Sequence, residues 1–314
     1  MRFGIGIPQF FSDHEFDAEA FRGFLRRAEA LGFESGWTQE QVLGSSSQLS
    51  ALQTMTYAAA CTERLRVGCA VFVTTLHSPV HLANDLATLD QLSGGRLDVG
   101  VGSGGPRGGI FPAFRVDPQR YIAQFTEGLA LMKALWTENP VTFAGEFWQV
   151  ENASMQPKPF QKPHPPIWMG GSAEAALRRT VRLGTGFFGA GSSPTARFAD
   201  QVRTVRRLLA DQGRDAAAFP IAKRIYTLVD DDAERARRHM NDALASIYGG
   251  RIEAIESAAV AGTPADCVRG VQEVLDAGAE LVLFTSVGDP AEQMERLAAE
   301  VIPQVGPPSG AFVG

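Results

Sequence analysis

The sequence predicts an α/β fold, a (β/α)8 TIM-type barrel with insertions. Three observations predict it. Short apolar, β-rich runs alternate with longer runs at helical spacing, the alternation occurs eight times, and the helical runs open on Ser-Pro, Thr-Pro or Asp-Pro and close on Gly. Parallel neighbours need a crossover connection, so strand–helix alternation means a parallel sheet. Eight repeats in one chain mean that the sheet closes. The alternative, a doubly wound open sheet, lacks its G-x-G-x-x-G turn, because the first strand reads Gly4-Ile5-Gly6-Ile7-Pro8-Gln9.

Residues 3–7 form the first strand. The helix over 16–31 places Phe21, Phe24, Leu25, Ala28 and Leu31 on one face and stops at Gly32. Residues 33–37 are the second strand and 49–61 a helix. Residues 65–73 (LRVGCAVFV) carry the strongest strand pattern. Ser78-Pro79 opens a helix bearing Leu82, Leu86, Leu89 and Leu92, closed by Gly94-Gly95. Strand 97–101 follows, then a helix over 118–136 entered through Asp117-Pro118. Residues 141–148 read as a β-hairpin about Gly145, and 157–166, with five prolines, as an extended connector. The alternation resumes with strand 167–169, helix 173–183, strand 186–189, a helix from Ser193-Pro194 to 211, and strand 221–229. Residues 231–258 are expected to be helical with a break at Gly249-Gly250. Thr263-Pro264 opens the next helix, 281–284 is the last strand, and Asp289-Pro290 opens the last helix, to about 302. The expected organisation is one barrel domain over 1–303, with insertions near 103–118, 139–166 and 230–258 and a flexible tail over 304–314.

The 314 residues are 45% hydrophobic and 20% charged, an ordinary globular composition. A formal net charge of −6 argues against a nucleic-acid footprint and against docking on anionic membranes. No apolar run reaches membrane-spanning length, and the apolar N-terminus is too short for a signal peptide. Cys61, Cys69 and Cys267 fit no metal or redox spacing. A cytoplasmic protein is therefore expected, with no metal.

Barrel active sites lie in the loops after the strands. The second strand is followed by Thr38-Gln39-Glu40-Gln41, where Glu40 offers a carboxylate for proton donation or substrate binding. The third ends in Thr74-Thr75-Leu76-His77-Ser78, two hydroxyls able to meet a bound ring. His77 and His81, four apart, lack the further ligand a metal needs and are expected to pack locally. Residues 100–109 contain six glycines with Ser103 and Arg107, a loop that permits close backbone approach to a phosphate or carboxylate. Gly170-Gly171-Ser172 and Gly189-Ala190-Gly191-Ser192-Ser193 each run into a helix N-terminus, as an anion site requires. Ordinary tight turns account for them equally well. The shortage of side-chain chemistry points to a cofactor performing the hard step.

His77-Ser78-Pro79-Val80, the run from Asn84 through Leu92-Ser93-Gly94-Gly95-Arg96-Leu97, and Gly100-Val101-Gly102-Ser103-Gly104 together resemble the bacterial-luciferase-like flavin-dependent oxidoreductase family. Pro157-Lys158-Pro159, Pro163 through Ser172, and Gly262-Thr263-Pro264 extend the resemblance over residues 1–303. It implies reduced FMN or coenzyme F420 at the strand ends, a small organic substrate, a homodimer, and a non-prolyl cis peptide within Val73-Thr74-Thr75 against the cofactor ring. It maps phosphate contacts onto Gly102, Ser103 and Gly104 and onto Gly170, Gly171 and Ser172, and catalysis onto Glu40 and Gln41. Two departures stand out. Many members carry His after the acidic residue, where this chain has Gln41, which cannot titrate. The Gly-Thr-Gly-Glu run of some F420 dehydrogenases is absent. With FMN, a separate reductase would supply reduced flavin for monooxygenation by O2; with F420, a hydride would move at the ring C5. Two rivals remain: a cofactor-binding protein without turnover, and a phosphate-substrate aldolase or isomerase, for which Lys223, inside a strand, is a poor Schiff-base candidate. Phe111 and Phe114 are candidate walls of an apolar substrate pocket.

Overall fold

The computed structural model describes residues 1–11, 16–44, 46–105, 109–248 and 258–308. In chain order its elements are β1 (Arg2–Gly6), β2 (Phe10–Phe11), α1 (Ala18–Ala30), β3 (Ser35–Thr38), β4 (Ser47–Gln48), α2 (Ala51–Cys61), β5 (Arg66–Val73), α3 (Pro79–Leu92), β6 (Leu97–Gly102), α4 (Tyr121–Thr137), β7 (Val141–Ala144), β8 (Gln149–Ala153) and β9 (Ile167–Met169). The second half adds α5 (Glu174–Leu183), β10 (Gly186–Gly189), α6 (Thr195–Asp211), β11 (Ile221–Val229), α7 (Ala233–Tyr248), β12 (Ala259–Gly262), α8 (Pro264–Asp276), β13 (Leu281–Ser286) and α9 (Pro290–Arg296). The main sheet runs β10-β9-β6-β5-β3-β1-β13-β11-β12, and β10 also pairs with β11. The eight predicted strands thus form a closed (β/α)8 barrel, from which β12 extends beside β11.

The chain divides into two compact units. The first comprises Met1–Pro8, Ala18–Trp37 and Gly170–Gly314. In it β1 lies parallel between β3 and β13, and Phe3 stacks on Phe284 at 5.7 Å. Trp37 packs on Phe188 and donates from Nε1 to Ser35 Oγ at 2.9 Å. Helix α7 seats Ala236, Met240 and Leu244 on Tyr226 and Leu228. Thr263 caps α8 with a reciprocal Thr263–Asp266 capping box, and Asp289 caps α9 through the Glu292 N–H. Strand β12 was not expected; Ala-Val-Ala-Gly carries no alternation and owes its extended form to parallel pairing with β11 residues Tyr226 to Val229.

The second unit comprises Gln9–Asp17 and Thr38–Met169. Here β6 runs parallel to β5 and β9. Buried Asp98 accepts from Arg66 Nε at 2.6 Å and Trp168 Nε1 at 2.8 Å. Helix α3 starts where Ser78-Pro79 predicts. Helix α4 starts three residues late, at Tyr121, because Asp117 accepts the Gln119 and Arg120 N–H groups in a local turn. The β7–β8 hairpin forms as expected, and Glu127 fixes its turn by accepting from the Glu146, Phe147 and Trp148 N–H groups. The proline-rich connector has no regular element; Gln161 anchors it to Asp90, which is fully buried. Among the described residues no helix is long and apolar enough to cross a membrane.

Candidate active site

Glu40, just past β3, is the hinge of the second unit's strand-end cluster. Its side chain is 8% exposed and both carboxylate oxygens are engaged: Oε2 accepts the Val73 N–H at 2.7 Å, and Oε1 lies 2.7 Å from His77 Nε2. His77, expected to pack locally, instead pairs with a carboxylate. Its partner is 37 positions away, beyond the reach of any spacing rule. The usable signal was its place in a strand-end loop. The ring stands edge-on to Phe72, and the His77 N–H closes a one-turn helix over Thr74–Leu76 by donating to Thr74 O at 3.2 Å. Gln41, paired with Glu40 as a catalytic candidate, is exposed. Beneath Glu40 lies Cys69, fully buried, its thiol pushed well above the ordinary range first by burial and then by the Glu40 charge. Thr38 donates to Gly68 O at 3.1 Å.

The two threonines at the end of β5 differ. Thr75 Oγ1 donates to Ser103 O at 3.0 Å. Thr74 Oγ1 is buried and has no hydrogen-bond partner among the described residues. A buried hydroxyl without a partner calls for an explanation, here as at Ser193, Thr227 and Ser286.

The non-prolyl cis peptide lies at Ala70–Val71, not within Val73-Thr74-Thr75. It falls where β5 gains one residue on β6: Cys69 pairs with Val99, but Phe72 pairs with Val101. This bulge in turn explains glycines that the sequence assigned to a ligand. A Cβ at Gly100 would lie 2.1 Å from Cys69 O, one at Gly102 2.7 Å from Val71 Cγ2, and one at Gly104, whose φ is +64°, 2.6 Å from Val73 Cγ1. The close approach these glycines permit is to β5. Ser103 Oγ donates to Gly104 O at 3.2 Å. Arg107, a candidate phosphate contact, lies outside the described residues. Phe111 is 2% exposed and packs on Tyr121 at 5.3 Å; Phe114 is half-buried.

The first unit holds the other two Gly/Ser turns. At Gly170-Gly171-Ser172, Gly171 is tight against Ala176, and Gly170 has Phe188 O 2.7 Å from where its Cβ would be. Ser172 does not cap the helix; α5 begins at Glu174 with Ala173 as N-cap and no side-chain cap. Ser172 is therefore exposed and uncommitted to the helix end. The Gly189–Ser193 turn is held from below by Lys223, whose buried Nζ donates to Ser193 O at 2.7 Å and to Ala190 O. Burial, helped by Arg224, pulls the Lys223 ammonium down to about 7. These bonds commit the amine to the loop backbone and leave the Schiff-base reading without support. Among the described residues no group of three or more His, Cys, Asp or Glu side chains is placed to hold a metal ion.

Comparisons with known proteins bear on the family and the fold. The family model described as luciferase-like monooxygenase matches residues 1–302. An FMNH2-dependent dimethylsulfone monooxygenase from Pseudomonas putida is 29% identical over 77% of this chain and 67% of its own. It and several further curated relatives are matched over only 48–67% of their own length. An F420-dependent glucose-6-phosphate dehydrogenase from Kineococcus radiotolerans is 25% identical over 94% of this chain and 96% of its own. Among solved structures, monooxygenase RslO1 from Streptomyces bottropensis superposes with a TM-score of 0.83 at 25% identity, covering 96% of this chain and 99% of that one. The chain belongs to the luciferase-like monooxygenase family, and with it to the flavin- or F420-dependent oxidoreductases.

Proposed function

We propose that this chain is a monooxygenase that uses reduced FMN and O2 on a small organic substrate, with a separate reductase supplying the reduced flavin and a homodimer as the working form. The observation that carries the reading is the partnerless buried hydroxyl of Thr74 at the end of β5, beside the Glu40–His77 pair. A flavin ring presents polar nitrogen and carbonyl groups along one edge, so the residues present fit it: Thr74 would hydrogen-bond that edge, with Val73 and Thr75 flanking the ring. Phosphate contacts would come from backbone N–H groups at Gly102, Ser103 and Gly104 or at Gly170, Gly171 and Ser172, the latter with a free Ser172 hydroxyl. Bound reduced FMN would supply two electrons, so that one oxygen atom of O2 enters the substrate and the other leaves as water. The protein's part is to place the ring, orient the substrate and hold a proton near the reacting oxygen.

The second reading is F420-dependent hydride transfer. End-to-end alignment with F420-dependent glucose-6-phosphate dehydrogenases favours it, over 89–94% of this chain and 92–96% of theirs. Anaerobic titration of the purified protein with reduced FMN and with F420, followed by absorbance and fluorescence, separates the two. Tight reduced-FMN binding with weak F420 binding supports the oxygenase. The reverse order retires it in favour of hydride transfer. Binding of neither sinks both assignments, and binding with no turnover of O2 or hydride leaves a carrier.

A further inference from the structure

Building on the oxygenase reading, we infer that His77 is the proton donor of this site and that Glu40 is its positioning residue. The residue that follows Glu40 is Gln41, which is exposed and has no titratable group. The acidic residue has an imidazole all the same, brought by the next barrel strand: His77 Nε2 stands 2.7 Å from Glu40 Oε1. Glu40 cannot swing away, because its other oxygen holds the Val73 N–H at 2.7 Å. The His77 backbone is pinned at Thr74 O and its ring stands at 86° to the Phe72 ring, 6.3 Å away between centroids. A carboxylate accepts, so Nε2 carries the hydrogen and Nδ1 is the exchangeable position. Nδ1 makes no hydrogen bond among the described residues, and the side chain is 30% exposed, enough to exchange protons with solvent. Cys69, the other titratable group against Glu40, is held neutral by burial.

The reaction has a place for that proton. With reduced flavin as its monoanion, substrate, O2, FMNH− and one H+ give oxygenated substrate, FMN and water. Without organic substrate, O2, FMNH− and one H+ give FMN and hydrogen peroxide. In either case imidazolium His77 releases its Nδ1 proton to oxygen: the N–H bond breaks, the O–H bond forms, and the electron pair stays on Nδ1. The neutral ring keeps Nε2–H on Glu40 and is reprotonated from solvent.

Two measurements test this. Nitrogen-15 NMR of histidine-labelled, cofactor-free protein reads the tautomer directly, with His77→Gln assigning the signal. The expected result is that the neutral ring is the Nε2–H tautomer, bare at Nδ1, and that protonation adds its second hydrogen at Nδ1, with Glu40→Gln mixing the two neutral tautomers; a neutral ring in the Nδ1–H tautomer overturns the inference. The second is the rate at which air reoxidises protein-bound reduced FMN. His77→Gln and His77→Ala should slow it by about 10- to 100-fold, within the range of general acid catalysis, with FMN affinity kept within about twofold. Added imidazole should restore the Ala variant and leave the wild type unchanged. An unchanged rate, or a slowed one that imidazole does not restore, overturns the role of His77. Failure of the wild-type protein to bind reduced FMN overturns the oxygenase reading itself.

Discussion

Gly100→Ala should be among the most destabilising small substitutions in the chain. The added methyl carbon would sit 2.1 Å from Cys69 O, 3.2 Å from the Cys69 carbonyl carbon and 3.5 Å from Ala70 Cα. Carbon–oxygen contacts across neighbouring strands run at about 3.3 Å or more, so β5 and β6 would have to part by roughly 1.2 Å. The atoms in the way are backbone and cannot rotate aside. Ordinary overpacking costs about 1–3 kcal/mol, and a clash that only backbone movement relieves belongs above it, at about 3–5 kcal/mol. Gly102→Ala meets only Val71 Cγ2, at 2.7 Å, and should cost about 1–2 kcal/mol. Trimming that neighbour should help: Val71→Ala with Gly102→Ala should be more stable than the two single effects add to, by about 1 kcal/mol. Urea unfolding followed by circular dichroism, on the four proteins of that cycle and on Gly100→Ala, gives all the numbers. Gly100→Ala within about 0.5 kcal/mol of wild type, the range of inconsequential surface changes, would refute the account of these glycines. So would a Gly102→Ala protein of full stability and lost FMN affinity, which is what a ligand-facing glycine would give.

Three further outcomes are expected. Thr74→Val removes a hydroxyl that has no partner, so cofactor-free stability should hold or rise by up to about 1 kcal/mol, while the reduced-FMN dissociation constant should rise about 5- to 10-fold; unchanged affinity on titration would detach Thr74 from the cofactor. Lys223 is held down to about 7 in the fold against 10.5 when exposed, so between those values the unfolded chain binds the extra proton and stability rises with pH, by up to about 1.4 kcal/mol per unit. Below about 7 this group contributes no slope, and Lys223→Met should lack the rise; a wild-type-minus-Met stability difference that stays constant between pH 7.5 and 9 in urea melts would contradict it. Asp98→Ala removes an acceptor shared by Arg66 and Trp168 from a side chain only 7% exposed and should cost about 3 kcal/mol, with Asp98→Asn, which keeps an oxygen for Trp168, near half of that by thermal unfolding.

Features written in contiguous residues were legible in the sequence. Ser78-Pro79, Thr263-Pro264 and Asp289-Pro290 each open a helix because capping and the fixed proline φ act within a few residues. Short continuous apolar runs placed the eight barrel strands, because strands of a helix-covered parallel sheet are buried on both faces. What escaped was decided elsewhere in the chain. Asp117 diverts the start of α4 by taking N–H groups that the helix would have used, and β12 is a strand only because β11 is long enough to pair with it. At the site, Glu40 could be found as a carboxylate at a strand end, whereas its partner could not. The spacing visible along the chain linked His77 to His81, while the folded chain links it to Glu40.

The glycine ladder and the proton-bearing pair have one structural origin. A strand shows alternate faces at alternate residues, so the extra residue between Cys69 and Phe72 exchanges the faces of β5 relative to β6 from there to the strand end. Ahead of it the fully buried side chains are Val67 and Cys69; beyond it Phe72 takes that role. The Phe72 ring stands at 86° to the His77 ring, and Val73, one residue on, points its N–H to Glu40. Had β5 kept step with β6, Phe72 and Val73 would present opposite faces, and neither support for the pair would be in place. The bulge fits only where β6 has no Cβ to meet it, at Gly100 and Gly102. Gly-x-Gly at the end of the fourth barrel strand thus reads as the steric condition for the Glu40–His77 pair, and Gly100, which need touch no ligand, governs the site through the strand beside it.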